Sequence, residues 1–213
     1  MKKFILSCVF AIGLVFCGSK AQAAPVSWID WSTTSSGTLT IGSTTSGVSL
    51  TGPAGSLVNG NYYYSSFPAT YNGLAPSDLI QIWGTGIFNL TFSSPVLDPY
   101  IALVSVGQGG LPVTYSFNNP FSVISSGPNF WGYGGYSVSG NNFTGYEYNG
   151  VLQFTGAYSS ISFSVNQPEY WHGFNFGASS LAQTAAVPEP STLLLLGTGL
   201  VGLAIRKRFK TKG

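Results

Sequence analysis

Apolar positions follow two different rhythms along this chain. Between residues 24 and about 180, β-branched and aromatic residues come in short runs, and no long stretch keeps a 3.6-residue period. Alternation is clearest in Ile161-Ser162-Phe163-Ser164-Val165 and returns in Leu90-Thr91-Phe92. Such a pattern buries one face of a strand and wets the other. It predicts strands at 37–41, 48–51, 79–83, 86–92, 100–106, 113–117 and 121–125, then at 135–139, 142–148, 150–155, 159–165 and 171–176. Gly, Asn and Pro break the gaps, as in Gly109-Gly110, Asn118-Asn119-Pro120 and Gly140-Asn141-Asn142. Many short strands at nearly regular spacing predict an all-β domain, an antiparallel β-sandwich of jelly-roll-like arrangement. The Ser/Thr/Gly-rich stretch 32–47 is expected to be a mobile edge.

Both ends carry unbroken apolar runs instead. Lys2 and Lys3 precede an apolar segment at 4–16, and Ala21-Gln22-Ala23 follows it. This is the order of a secretory signal peptide, read by the Sec export machinery and cut by signal peptidase after Ala23. At the other end, residues 193–205 are uncharged and rich in Leu, Gly, Val and Ala. A helix over them would be only about 20 Å long, short of a hydrocarbon core of about 30 Å, so flanking residues must extend it. Arg206, Lys207, Arg208 and Lys210 follow. A cationic end of this kind stays in the cytoplasm and leaves the body outside. Five segments result: signal peptide 1–23, secreted β-sandwich 24–184, linker 185–192, transmembrane helix 193–205 and basic cytoplasmic tail 206–213.

Charge sharpens this division. All eight Lys and Arg residues lie at the two ends, with none between Ala21 and Ile205. Five carboxylates occupy the body: Asp30, Asp78, Asp98, Glu147 and Glu169. A nucleic acid partner is excluded, because there is no cation in the body to neutralise phosphates. The two cysteines, Cys8 and Cys17, fall in the segment to be removed. Cys17 does not form a lipobox, since the bulky Phe16 stands where a small residue is required. The mature protein therefore lacks disulfides, thiol chemistry and cysteine-ligated metals.

The linker holds Pro188-Glu189-Pro190, whose prolines interrupt any helix and mark an extended hinge. The order Val187-Pro188-Glu189-Pro190-Ser191, Leu-rich span, Arg-rich end resembles the PEP-CTERM sorting signal of exopolysaccharide-producing Gram-negative bacteria. That resemblance implies recognition by a membrane-embedded exosortase that cuts near Pro188, Glu189 and Pro190. Stretches of the body are similar to those of secreted PEP-CTERM proteins with no assigned activity: 98–108, 147–154 and 169–174. They imply only a secreted β domain.

Catalytic chemistry has few candidates. His172 is the single histidine, and no Gly-x-Ser-x-Gly elbow sets a serine beside it. It is expected to be a hydrogen-bonded structural residue. Glu147 and Glu169, each flanked by aromatics, are the best pair for a glycosidase, which needs two carboxylates facing a cleft. Carboxylates capping loops or accepting backbone hydrogen bonds are the simpler expectation. No catalytic residue, cofactor or metal site is assigned. Rings in Gly-rich segments are the better lead: Tyr62, Tyr63, Tyr64, Trp131, Tyr133 and Tyr136 could stack on sugar faces or roof the core. The expected function is an exported, non-enzymatic envelope or matrix protein associated with exopolysaccharide. A carbohydrate-binding module is the alternative, and a glycoside hydrolase comes after it.

Replacing Pro188, Glu189 and Pro190 together by alanine should abolish C-terminal processing while export continues. Intact-mass spectrometry of the protein from its own cells reads both termini, and unchanged processing would remove the exosortase assignment.

Overall fold

The computed structural model describes residues 25–58, 78–128 and 131–182, together with Thr198 and Leu200. The signal segment, the sorting motif and the basic tail lie outside the described residues. Thr198 and Leu200, both helical, fall within the predicted span. Among the described residues, no helix is long and apolar enough to cross a membrane.

Alternation becomes strand nearly everywhere it was read. The N-terminal strands are β1 (Ser27–Trp28), β2 (Asp30–Trp31), β3 (Ser36–Ile41), β4 (Thr44–Thr51) and β5 (Ala54–Val58). Then come β6 (Leu79–Ile82), β7 (Gly86–Leu97), β8 (Tyr100–Val106), β9 (Val113–Phe117), β10 (Ser122–Ser126) and β11 (Tyr136–Ser139). The last are β12 (Asn142–Gly145), β13 (Tyr148–Gln153), β14 (Ala157–Val165), β15 (His172–Ala178) and β16 (Ser180–Leu181). Every pairing between them is antiparallel.

The strand order is that of a jelly roll. β6 pairs with β15, β7 with β14, β8 with β13 and β9 with β12. These nested pairs describe one long ribbon folded back on itself. Its two further pairings, β8 with β15 and β9 with β14, roll the ribbon into two sheets. One sheet reads β10-β13-β8-β15-β6-β5, and the other β11-β12-β9-β14-β7-β4-β3-β2. The four-strand centres, β13-β8-β15-β6 and β12-β9-β14-β7, are the jelly-roll sheets. Additional strands only widen their margins. Edges are kept short, with two residues in β2 and four in β11, which limits the unpaired backbone left open in a body without lysine.

The expected mobile stretch at 32–47 is instead mostly strand. β3 and β4 form a hairpin through a two-residue turn, with Gly42 at φ +60° in its first position. Leu39, Val48 and Leu50 insert into the core, which holds this Ser/Thr-rich ribbon in place. The single strand expected at 142–148 is broken at Tyr146 and Glu147. Glu147 takes φ +58° there, which is incompatible with a continuing strand.

Between the sheets lies an aromatic layer. Phe163 stacks on Phe88 and Tyr115, with ring centroids 4.9 and 5.3 Å away, and meets Phe174 edge-on at 5.3 Å. Rings from both sheets thus interlock in the offset and T-shaped geometries their quadrupoles favour. The outer faces differ. β7, β9 and β14 alternate buried and accessible positions, so that sheet presents one face to water. β6, β8 and β15 are buried almost throughout, because Val26, Trp28, Val58, Tyr100 and Trp171 pack over Leu79, Ala102, Val104 and Val151. Asn175 lies where β1 and β6 part along the same edge of β15. Its side chain accepts from Trp31 Nε1 at 2.9 Å and donates to the Ile29 carbonyl at 3.0 Å, replacing ladder bonds that the gap removes.

Phe163→Ala should destabilise the domain by about 3–5 kcal/mol, the usual cost of emptying a packed aromatic site. Ile87→Ala, at a position 66% exposed on the wet face of β7, should change stability by less than about 0.5 kcal/mol. Urea denaturation midpoints of the two variants check the contrast.

Candidate functional site: a buried glutamate–histidine clamp and an aromatic cleft

The site begins with a bulge. On β8 three steps from Leu103 to Val106 oppose two steps from Gly150 to Tyr148 on β13. Ser105 absorbs the extra residue at φ +55°, and the bulge lets Val106 point into the core as Leu103 does. Asn149 repairs the interrupted ladder: its Oδ1 accepts the Ser105 N–H at 2.7 Å. Its Nδ2 donates to the carbonyls of Gly132, at 3.0 Å, and Glu147. This side chain, together with the Gly127 N–H that donates to the Asn149 carbonyl at 3.0 Å, ties the loop after β10 to β13.

Gly107 follows the bulge and is held between the two glutamates. Its N–H donates to Glu169 Oε2 at 2.8 Å, and its carbonyl accepts the Glu147 N–H at 2.8 Å. A Cβ at this residue would lie 2.1 Å from the Gly145 carbonyl oxygen, and φ is +74°, so only glycine fits. Ser105 Oγ donates to Glu147 Oε1. Glu169 Oε2 also meets His172 Nδ1 at 2.8 Å, with both side chains buried. A carboxylate requires an N–H opposite it, so the proton belongs on Nδ1. His172 Nε2 and the Tyr115 hydroxyl are buried and without hydrogen-bond partners among the described residues. The two rings meet edge-to-face at 5.7 Å. Burial, followed by the charge of Glu169, pushes the Tyr115 hydroxyl well above its usual value and keeps it neutral.

Glu147 and Glu169 therefore do come together, as the glycosidase reading required, but around a backbone loop and not across a cleft. Burial raises the Glu147 carboxyl above its ordinary value, the Ser105 hydrogen bond opposes this, and the Glu169 charge adds to it. Glu169 spends an oxygen on Gly107 and His172. Among the described residues no serine hydroxyl bonds His172, whose contacts are those of the structural histidine read in the sequence.

Glu169, in the segment joining β14 to β15, and His172, the first residue of β15, turn inward, so the residues between them turn out. Tyr170 is 92% exposed and Trp171 is half-buried. The last pair of β6 and β15 is Ile82 with His172. One step beyond, Trp83 faces Trp171 across the two strands. Trp83 is 55% exposed, and its ring lies over Gly55, where a Cβ would come within 3.2 Å of it. Gln81, Trp83, Tyr170 and Trp171 line an open cleft of about 340 Å³. Gln81 Oε1 accepts from Ser56 Oγ at 2.8 Å, so its amide N–H groups are what it offers the cleft. Trp131 flanks this group with its ring 4.6 Å from that of Trp171.

Of the aromatic residues singled out in the sequence, Trp131 joins this cluster. Tyr136 instead covers the core, stacked on Phe143 at 5.8 Å and edge-on to Tyr148 at 5.3 Å. Tyr133 is partly exposed and lies close enough to Tyr148 to raise its hydroxyl pKa, after burial and Tyr136. Tyr62, Tyr63 and Tyr64 lie outside the described residues, as do Ala21, Ala23, Pro188, Glu189, Pro190, Arg206, Lys207, Arg208 and Lys210. The sequence reading missed Trp83, Tyr170 and Trp171 as a group. Its one available signal was Glu169-Tyr170-Trp171-His172, where two polar and two aromatic residues must point to opposite sides.

A family model for the PEP-CTERM protein-sorting motif matches residues 186–208. No curated protein and no solved structure matches the chain. The motif, and with it an exosortase as partner, rests on the tail, and the body must be read from its own geometry.

Glu147 gives a pH test with a defined sign. Its folded pKa lies above the ordinary 4.5, so the folded chain keeps this proton to higher pH than the unfolded chain. The associated stability is complete below that value and is lost as pH rises through the folded pKa. Glu147→Gln cannot ionise and still offers an acceptor to Ser105. Its stability relative to wild type should improve between pH 4 and pH 7, measured as denaturation midpoints. A difference that stays flat, or moves the other way, contradicts the assigned environment.

Proposed function

We propose that this chain, an exported PEP-CTERM protein held in the membrane as an exosortase substrate, carries a non-enzymatic β domain that works within the exopolysaccharide layer. Before processing, the body stands on the periplasmic side while the cationic tail stays in the cytoplasm. After cleavage near Pro188-Glu189-Pro190 it resides at the cell surface or beyond.

The observation that carries this reading is the open face of the second sheet. Ser36, Ser49, Thr91 and Ser160 form one row across β3, β4, β7 and β14. Thr51, Asn89 and Ser162 form a second, and Ser164, Ser116, Asn142 and Ser139 a third. Beside the third row, Thr114 and Thr144 are paired across β9 and β12, and their hydroxyls hydrogen-bond directly at 2.8 Å. These rows carry hydroxyls and amides in place of charges, which suits exchange of hydrogen bonds with a hydrated, hydroxyl-rich polymer. The buried Glu169, committed to Gly107 and His172, and the half-buried Glu147, which accepts from Ser105, favour a scaffold role over hydrolysis. The aromatic cleft favours the second reading, a carbohydrate-binding module.

The protein recovered from its own cells, mixed with exopolysaccharide isolated from the same cells, should co-sediment with it. It should release no reducing ends above a protein-free control. Protein left wholly in the supernatant would end the matrix role, and a time-dependent rise in reducing ends would end the non-enzymatic one.

A further inference from the structure

We infer that the cleft formed by Gln81, Trp83, Tyr170 and Trp171 binds the sugar rings of a neutral glycan. This inference rests on the exopolysaccharide reading above and names the ligand class of one site within it.

The first ground is the exposure of the rings. Trp83 and Tyr170 are 55% and 92% exposed, although the aromatic layer of the same domain buries its phenylalanines almost completely. Aromatic side chains in water, gathered around one concavity, mark a binding surface. Their flat apolar faces and polar edges match the apolar C–H face and hydroxyl rim of a pyranose. The second ground is the amide N–H of Gln81, which gives the cleft a donor for a sugar hydroxyl, since its carbonyl oxygen is already engaged by Ser56. The volume of about 340 Å³ is at the small end of ligand sites, enough for a short stretch of a chain.

Charge then selects among glycans. No Lys or Arg occurs between Ala21 and Ile205, and the body carries five carboxylates. A uronate or sulfated unit would meet no cation here and would lose its hydration for nothing. A neutral unit suffers no such penalty. The platform is also set in place beforehand. Glu169 and His172 clamp both ends of the Tyr170-Trp171 turn, Glu169 ties it to Gly107, and Trp131 supports Trp171. Binding then orders little that was loose, which lowers its entropic cost.

The test uses the exported chain with its tail, in mild detergent, titrated calorimetrically with cello-, manno- and galacto-oligosaccharides and with oligogalacturonate. Saturable binding of at least one neutral series, and none of oligogalacturonate, is expected. Trp83→Ala and Tyr170→Ala should each weaken that binding by roughly tenfold or more. Both side chains are exposed, so their circular dichroism and melting should match wild type. Trp83→Phe, which keeps a smaller ring, should retain part of the affinity. The inference is overturned if no neutral series binds, if oligogalacturonate alone binds, or if both alanine variants bind as wild type does. It is also overturned if the cleft serves self-association, seen as a dimer in wild type that the alanine variants lose. Wild type and both variants sedimenting equally with the native exopolysaccharide would remove the cleft and leave the matrix role standing. Wild type failing to sediment would remove the matrix role itself.

Discussion

Everything in this domain depends on a layer of rings that both sheets must share. The body contains no cysteine, lysine or arginine, so neither crosslinks nor Lys or Arg ion pairs contribute to its cohesion. Phe88, Tyr115 and Phe163 stack on one side, and Phe174 and Phe176 close over them from the other. Because a strand has a period of two, placing these residues inward fixes what points outward on every central strand. The hydroxyl rows of one sheet and the covered outer face of the other both follow from that choice.

The covered sheet uses its buried polar groups to shape loops. Asn175 bridges the gap between β1 and β6, and Asn149 ties the loop after β10 to the bulge. Glu169 joins the loop before β15 to Gly107. Each replaces backbone hydrogen bonds lost where the ladder is interrupted, and a partner for each is a condition of burying it. The strained conformations of Ser105 and Glu147 lie in this same region. Such strain persists where surrounding contacts determine the backbone, and here the result is a turn that presents Tyr170 and Trp171 to solvent above a buried clamp.

Sorting and body place different demands on one chain. The tail needs an apolar run and a cationic end, whereas the body must cross the membrane and remain outside. Confining every cation to the ends serves the topology of the tail. It also leaves the body without lysine to guard its sheet edges, and short marginal strands limit that exposure instead.

How much of this was legible beforehand depends on the range of the interactions. The PEP-CTERM tail could be read directly, because proline, greasy span and cationic end act through composition and order within about twenty residues. The strands at 100–106 and 113–117 could also be read to the residue, since alternation is a local signal. Ser/Thr-rich β3 and the second half of β4 could be read at 37–41 and 48–51, but Thr44-Thr45-Ser46-Gly47 holds no apolar residue and becomes strand only by pairing with β3. Glu147 and Glu169 could be named as a pair, but their separation along the chain could not say that both would bond the backbone of Gly107 in place of facing a cleft. The group of Trp83, Tyr170 and Trp171 belongs to the tertiary structure alone. It depends on the register of β6 against β15, two strands some ninety residues apart that only the rolled ribbon makes neighbours.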